Sequence, residues 1–121
     1  MKSCLIVEDS KVIRMVARKV LQGLEFDTSE AADGRKALDA CKAQLPDAVL
    51  LDFKMPVMDG LEFLIELWKL PGGDAPVVVF CTAETDIEHI QKAIECGANE
   101  CIMKPFDSDS LQAKFYQVGL L

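Results

Sequence analysis

Four short apolar runs in this chain each stop at residues suited to a metal ion or a phosphoryl group. Cys4–Val7 ends at Glu8-Asp9-Ser10, Ala48–Leu51 at Asp52, Val77–Cys81 at Thr82, and Cys101–Met103 at Lys104-Pro105. Three carboxylates within reach of one another repel, so such a cluster needs a cation or an ammonium to be tolerated. Oxygen donors with few protein contacts suit Mg²⁺, which keeps several waters and often bridges to phosphate. A carboxylate beside that ion can attack phosphorus and form an acyl phosphate. The transfer is mostly positioning plus charge neutralisation. Lys104 would offset charge on the phosphoryl oxygens, and the Thr82 hydroxyl would donate to one of them. His89 and the five cysteines (Cys4, Cys41, Cys81, Cys96, Cys101) lie outside this set, so zinc or copper has little support. The plainer alternative is a solvated acidic rim closed by a Lys104 salt bridge. Any one polar strand end fits that reading; acids, a hydroxyl and an ammonium converging on one edge fit it poorly.

The elements between these ends must place them together. Apolar residues at Ile13, Val16, Ala17, Val20, Leu21 and Leu24 predict a helix from Lys11 to about Gly23, capped by Ser10 or Asp9. Phe26–Ala31 alternates weakly, as an edge strand would, and Arg35–Gln44 follows the Asp33-Gly34 turn as a second helix. Met55-Pro56 and Asp59-Gly60 are loop signals. A third helix runs from Leu61 to Leu70, with Leu61, Leu64, Ile65 and Trp68 expected on one face. A fourth carries Ile87, Ile90 and Ile94 and stops at Gly97, where a C-terminal cap belongs. The last carries Leu111, Phe115 and Val118 and starts at Asp107 or Ser108. The order is βαβαβαβαβα. Continuously apolar strands are expected where helices cover both faces of a parallel sheet. In such sheets the site lies beyond the carboxyl ends of the strands, where strand order reverses.

Composition narrows the class. A chain of 121 residues, 50% hydrophobic, suits one domain that buries roughly two-thirds of its unfolded surface. With 13 basic and 20 acidic residues, the net charge of −7 disfavours nucleic acid and anionic membranes as partners. No apolar run approaches the roughly 20 residues that span a bilayer, and Cys4–Val7 is too short for a signal-peptide core. Five scattered cysteines without a CxxC pair read as reduced cytoplasmic thiols, each a small core residue.

Taken as an ordered set, Glu8-Asp9-Ser10, Asp52 with Met55-Pro56 and Asp59-Gly60, Thr82-Ala83, Gly97-Ala98 and Lys104-Pro105-Phe106 resemble the receiver domain of two-component response regulators, of the stand-alone CheY-like type. The resemblance covers the whole chain, residues 1–121, as a single receiver with no output domain. It implies a flavodoxin-like (βα)5 three-layer sandwich with a parallel sheet in the order 2-1-3-4-5. It also implies that Asp52 is the phosphoacceptor and that Asp9, Asp52 and the Lys54 backbone carbonyl ligate Mg²⁺, with Glu8 acting largely through water. Thr82 and Lys104 would contact the phosphoryl oxygens. The Lys104–Pro105 bond would be cis, which X–Pro bonds tolerate at about 0.5–1 kcal/mol. The implied donor is a sensor histidine kinase or a histidine phosphotransfer protein. The implied output is a target protein met by the face of helix four, strand five and helix five, roughly Ile87–Cys96, Glu100–Met103 and Ser108–Val118. Such a protein signals rather than turns over substrate, as a monomer or weak dimer.

Three positions depart from the family's commonest pattern. Cys101 stands where an aromatic ring usually turns inward on activation, and it reads as a packing substitution before a redox-sensitive one. Lys54 and Glu84 flank the site entrance, where a pair across the mouth would restrict the attacking water and lengthen the phosphorylated state. The alternatives are a phosphorylation-independent adaptor of the same fold, a haloacid-dehalogenase-type phosphohydrolase and an FMN carrier. The second would put its nucleophile after the first strand with another aspartate two residues on, and Glu8-Asp9-Ser10-Lys11 lacks that spacing. In the third, Glu8 and Asp9 would repel the cofactor's phosphate.

Overall fold

The structure is a computed structural model describing residues 2–53, 55–83, 87–104 and 106–121, with the side chains of Ala83, Ile87, His89 and Lys104 outside the described set. Five strands alternate with five helices: β1 (Ser3–Val7), α1 (Lys11–Gly23), β2 (Asp27–Ala31), α2 (Gly34–Ala43), β3 (Ala48–Asp52), α3 (Gly60–Lys69), β4 (Val77–Ala83), α4 (Ile87–Glu95), β5 (Glu100–Lys104) and α5 (Ser108–Gln117). All strand pairs are parallel, and the sheet order is β2-β1-β3-β4-β5.

Alternation along the strands sorts the apolar residues into two cores. Cys4, Ile6, Ala48, Leu50, Val79, Cys81 and Ile102 face Ala17 and Leu21 of α1 and Leu111 and Phe115 of α5. Leu5, Val7, Val49, Leu51, Val78 and Phe80 face Ala37, Leu38 and Cys41 of α2, Phe63, Leu64 and Leu67 of α3, and Ala93 of α4. The three central strands are therefore apolar throughout because each has a core on both sides. Phe26 closes the α1/α5 layer by meeting Phe115 edge-to-face, with ring centroids 5.2 Å apart.

The helix starts follow local capping chemistry. Ser10 Oγ accepts from the Ile13 amide at 3.3 Å, so Ser10 caps α1 and Asp9 does not. Asp33 and Asp59 cap α2 and α3 through Oδ1, at 2.8 and 2.9 Å. Asp107, not Ser108, caps α5: its Oδ1 accepts from the Ser110 amide at 2.8 Å while Ser110 Oγ accepts from the Asp107 amide at 3.1 Å. The Ser110 hydrogen bonds hold the Asp107 carboxyl below its ordinary value of 3.8. Its contribution to stability is thus fully present above that value and is lost as pH falls through the lowered folded-state value. In Asp107→Asn, which can cap but does not titrate, unfolding free energies measured from about pH 5 to pH 2 are expected to fall less steeply than in the parent.

Three inward faces differ from expectation. In α3, Phe63, Leu64 and Leu67 are buried, while Ile65 and Trp68 are 46% and 50% exposed. The helix carries apolar residues around most of its circumference, so periodicity alone does not choose the face, and packing on β3 and β4 does. In α1, Val16 is 51% exposed. Among the described side chains of α4, Ala93 is fully buried while Ile94 is 46% exposed.

Candidate functional site

Register aligns the carboxyl ends of the strands. Val7 pairs with Leu51, Asp52 with Cys81, Thr82 with Met103 and Ala83 with Lys104. Chain connections diverge between β1 and β3, the switch point at which open α/β sheets hold ligands. Glu8, one residue beyond Val7, is therefore brought beside Asp52. Carboxylate oxygens of Glu8, Asp9 and Asp52 all lie within 4.8 Å of one another. Glu8 and Asp52 are buried, Asp9 is exposed, and Thr82 is buried one step along β4 from the partner of Asp52.

This donor set fits Mg²⁺. Its ligands are hard oxygens, two sit on the protein side, and the third faces solvent, leaving water-bearing positions open. Beneath the acids, a space of about 10 Å³ among Ile6, Val7, Glu8, Ile13, Ala17, Leu50, Asp52, Cys81 and Phe106 is at the lower limit for a single water. Outside them, an open depression of about 550 Å³ is lined by Asp9, Phe53, Met55, Pro56 and Asp59. Among the described residues, this depression gives the acids an open approach from solvent.

The β1–α1 turn is held at several points. The Glu8 amide donates to the Ala31 carbonyl at 3.1 Å, and the Ser10 amide donates to Glu8 Oε1 at 3.2 Å. Arg14 Nη1 donates to the carbonyls of Glu8 at 2.6 Å and Asp9 at 3.2 Å. Sequence reasoning missed Arg14. A cation near a helix N-terminus opposes the macrodipole, so a local partner for Arg14 was the one weak signal available.

The β3–α3 turn is held by two glycines. The Gly60 amide donates to the Phe53 carbonyl at 2.9 Å, and the Gly34 amide donates to the Met58 carbonyl at 3.1 Å. A Cβ on Gly34 would stand 2.3 Å from that same Met58 oxygen. Between them Val57 has φ 69° and is 79% exposed, a left-handed conformation that a β-branched residue adopts only under strain. Val57→Gly is accordingly expected to raise stability by about 1 kcal/mol, read as a higher urea midpoint at unchanged m-value.

Cys101 is half-buried against the α2/α3/α4 core and lies opposite Phe80 in the register. Burial and then the Glu100 carboxylate push its thiol up, partly opposed by Lys114. Little thiolate forms at neutral pH in such a place, which favours packing over redox sensing. Phe53 meets Phe80 edge-to-face at 6.1 Å on the same side. Lys104 ends β5 at the site's edge, with its side chain outside the described residues. The Lys54 carbonyl, the Lys54–Glu84 pair and the Lys104–Pro105 bond also lie outside the described residues.

Residues 4–116 match the response regulator receiver domain family. Among curated relatives, the chain is 38% identical over 108 residues to sporulation initiation phosphotransferase F of Bacillus subtilis, covering 89% of this chain and 86% of that protein. It is 36% identical over 110 residues to response regulator MprA of Mycolicibacterium vanbaalenii, covering 91% of this chain but 47% of that one. The chain thus spans about half the length of several curated relatives it matches. The solved structure of chemotaxis protein CheY4 of Vibrio cholerae superposes with a TM-score of 0.91 at 31% identity, covering 98% of each chain. The receiver domain of a sensor histidine kinase from Pseudomonas aeruginosa, solved with a magnesium ion coordinated in its active site cleft, gives a TM-score of 0.88 at 28% identity over 96% of this chain and 95% of that one. No described helix is long and apolar enough to cross a membrane. The parallel sheet ordered β2-β1-β3-β4-β5, the acids gathered at its switch point and the match over residues 4–116 lead to one family, and the chain belongs to the response regulator receiver domains.

Proposed function

We propose that this chain acts as a stand-alone, single-domain response regulator of the cytoplasm, taking a phosphoryl group onto Asp52 from a phosphohistidine of a sensor histidine kinase or a histidine phosphotransfer protein. The observation that carries the reading is the convergence of the Glu8, Asp9 and Asp52 carboxylates within 4.8 Å at the switch point. A Bacillus subtilis relative named a phosphotransferase and a solved receiver domain with magnesium in its cleft support it.

In this mechanism Glu8, Asp9 and Asp52 would hold Mg²⁺, with the Lys54 carbonyl that the family resemblance implies as a further ligand, and the ion when bound would neutralise charge on the transferring phosphoryl group. An Asp52 carboxylate oxygen attacks phosphorus. A P–O bond forms as the P–N bond to the donor imidazole breaks, and the electron pair of that bond stays on the departing nitrogen. The Thr82 hydroxyl donates to one phosphoryl oxygen and Lys104 balances another. The acids accept the donor from the open depression beside Met55 and Pro56, the side away from the packed floor. The phosphorylated form then favours one of two arrangements of the α4–β5–α5 face, where Ile94, Met103 and Tyr116 are exposed to a target protein.

Incubation with Mg²⁺ and a small acyl phosphate, read by intact mass, tests the proposal. A gain of one phosphoryl group, abolished by chelating the metal, is the expected result. No gain with any small donor or purified phosphohistidine protein would leave a phosphorylation-independent adaptor as the reading.

A further inference from the structure

We propose that Arg14 is a positioning residue for the metal site, acting through the backbone it grips and through Glu30; the inference rests on the Mg²⁺ reading above. The Arg14 side chain is 15% exposed, and it touches none of the site carboxylates in the contacts described. One terminal nitrogen reaches back to the carbonyls of Glu8 and Asp9, the two residues that supply two of the three clustered carboxylates. Its Nε donates to Glu30 Oε1 at 3.2 Å, and Arg18 Nη1 holds the other Glu30 oxygen at 3.0 Å.

The direction of the side chain makes this contact available. Long helical side chains lean toward the helix N-terminus, so a residue one turn into α1 reaches the turn that precedes the helix. Glu30 is the residue before the end of β2, and the next residue, Ala31, accepts the Glu8 amide. The edge strand therefore anchors the acidic turn twice, once through main chain and once through the Glu30–Arg14 pair. A planar guanidinium divided between a carboxylate and two carbonyls has fewer free orientations than an ammonium would, and Lys cannot reproduce that fork. Partners of this kind, which orient ligands without touching the ion, typically contribute 10–100-fold to metal affinity.

Mg²⁺ dissociation constants measured by calorimetry separate the possibilities. Arg14→Ala is expected to weaken Mg²⁺ binding about 10-fold, with Arg14→Lys between it and the parent. Arg18→Ala removes the second Glu30 ion pair but neither carbonyl contact, so it is expected to bind within about 2-fold of the parent, at the scale of an exposed pair. Should Arg14→Ala fail to fold, Glu30→Gln, which frees the anchor while leaving the hydrogen-bonding shape, is expected to weaken binding about 3-fold. Arg14→Ala binding as tightly as the parent, or Arg18→Ala weakening it equally, would overturn the role. A parent protein that binds no Mg²⁺, or an Asp9→Asn variant that binds it unchanged, would instead overturn the metal reading on which the inference stands.

Discussion

Asp52→Asn is expected to abolish phosphoryl uptake completely while leaving the protein folded and, without metal, more stable than the parent. Loss of uptake follows from chemistry: the amide lacks the anionic oxygen that would attack phosphorus from the end of β3. The gain in stability follows from geometry. Asp52 is 7% exposed and shares a 4.8 Å circle with Glu8 and Asp9, so removing one charge relieves repulsion in a place of limited solvation. The isosteric amide keeps the packing, and the relief is expected at about 1 kcal/mol near neutral pH. Added Mg²⁺ should narrow the difference by stabilising the parent more than the variant, since a ligand that binds only the folded state stabilises it by mass action. Intact mass reads the first effect, and urea unfolding with and without Mg²⁺ reads the second. A variant that still gains a phosphoryl group would move the acceptor away from Asp52.

A single methyl group at Gly60 is expected to be nearly as damaging to the site, by another route. Gly60 is the first residue of α3 and has ordinary negative φ; a Cβ there would stand 2.4 Å from the Asp52 carbonyl oxygen and 3.1 Å from the Phe53 Cα. Both neighbours are main chain and cannot rotate away, so either the helix start or the end of β3 must shift. Overpacking against backbone of this severity is expected to cost about 3 kcal/mol for Gly60→Ala. Because the displaced atoms include the carbonyl of Asp52, the proposed acceptor, folded Gly60→Ala should also phosphorylate more slowly, on the order of 100-fold for a displacement near 1 Å. Chemical denaturation and the initial rate of phosphorylation measure the two effects. Unchanged stability would mean that the close approach relaxes freely.

Much of the fold was legible because its signals are local. The apolar runs at Cys4–Val7, Ala48–Leu51 and Val77–Cys81 marked doubly covered strands, and the weakly alternating segment ending at Ala31 marked the edge. The side chosen by α3 was not legible. With Leu61, Phe63, Leu64, Ile65, Leu67 and Trp68 in one short helix, more than one face is apolar enough to bury, and only the fit against β3, β4 and α2 decides. Asp59-Gly60 read as a turn, which understated it: the structure uses Asp59 as a cap and Gly60 for a close approach between main chains.

The kinds of atoms available to the site, carboxylates after two strands, a hydroxyl after the next and a lysine after the last, are written in the order of residues along the chain, because strand ends and their donors are encoded by neighbours in sequence. Their assembly is not. Glu8 and Asp52 are 44 residues apart and meet because β1 lies beside β3 with Val7 opposite Leu51. Arg14 gains its role because β2 lies on the other side of β1, bringing Glu30 within 3.2 Å. Pairing between distant strands is set by burial of both sheet faces at once, a property of the whole packed domain that no short segment carries.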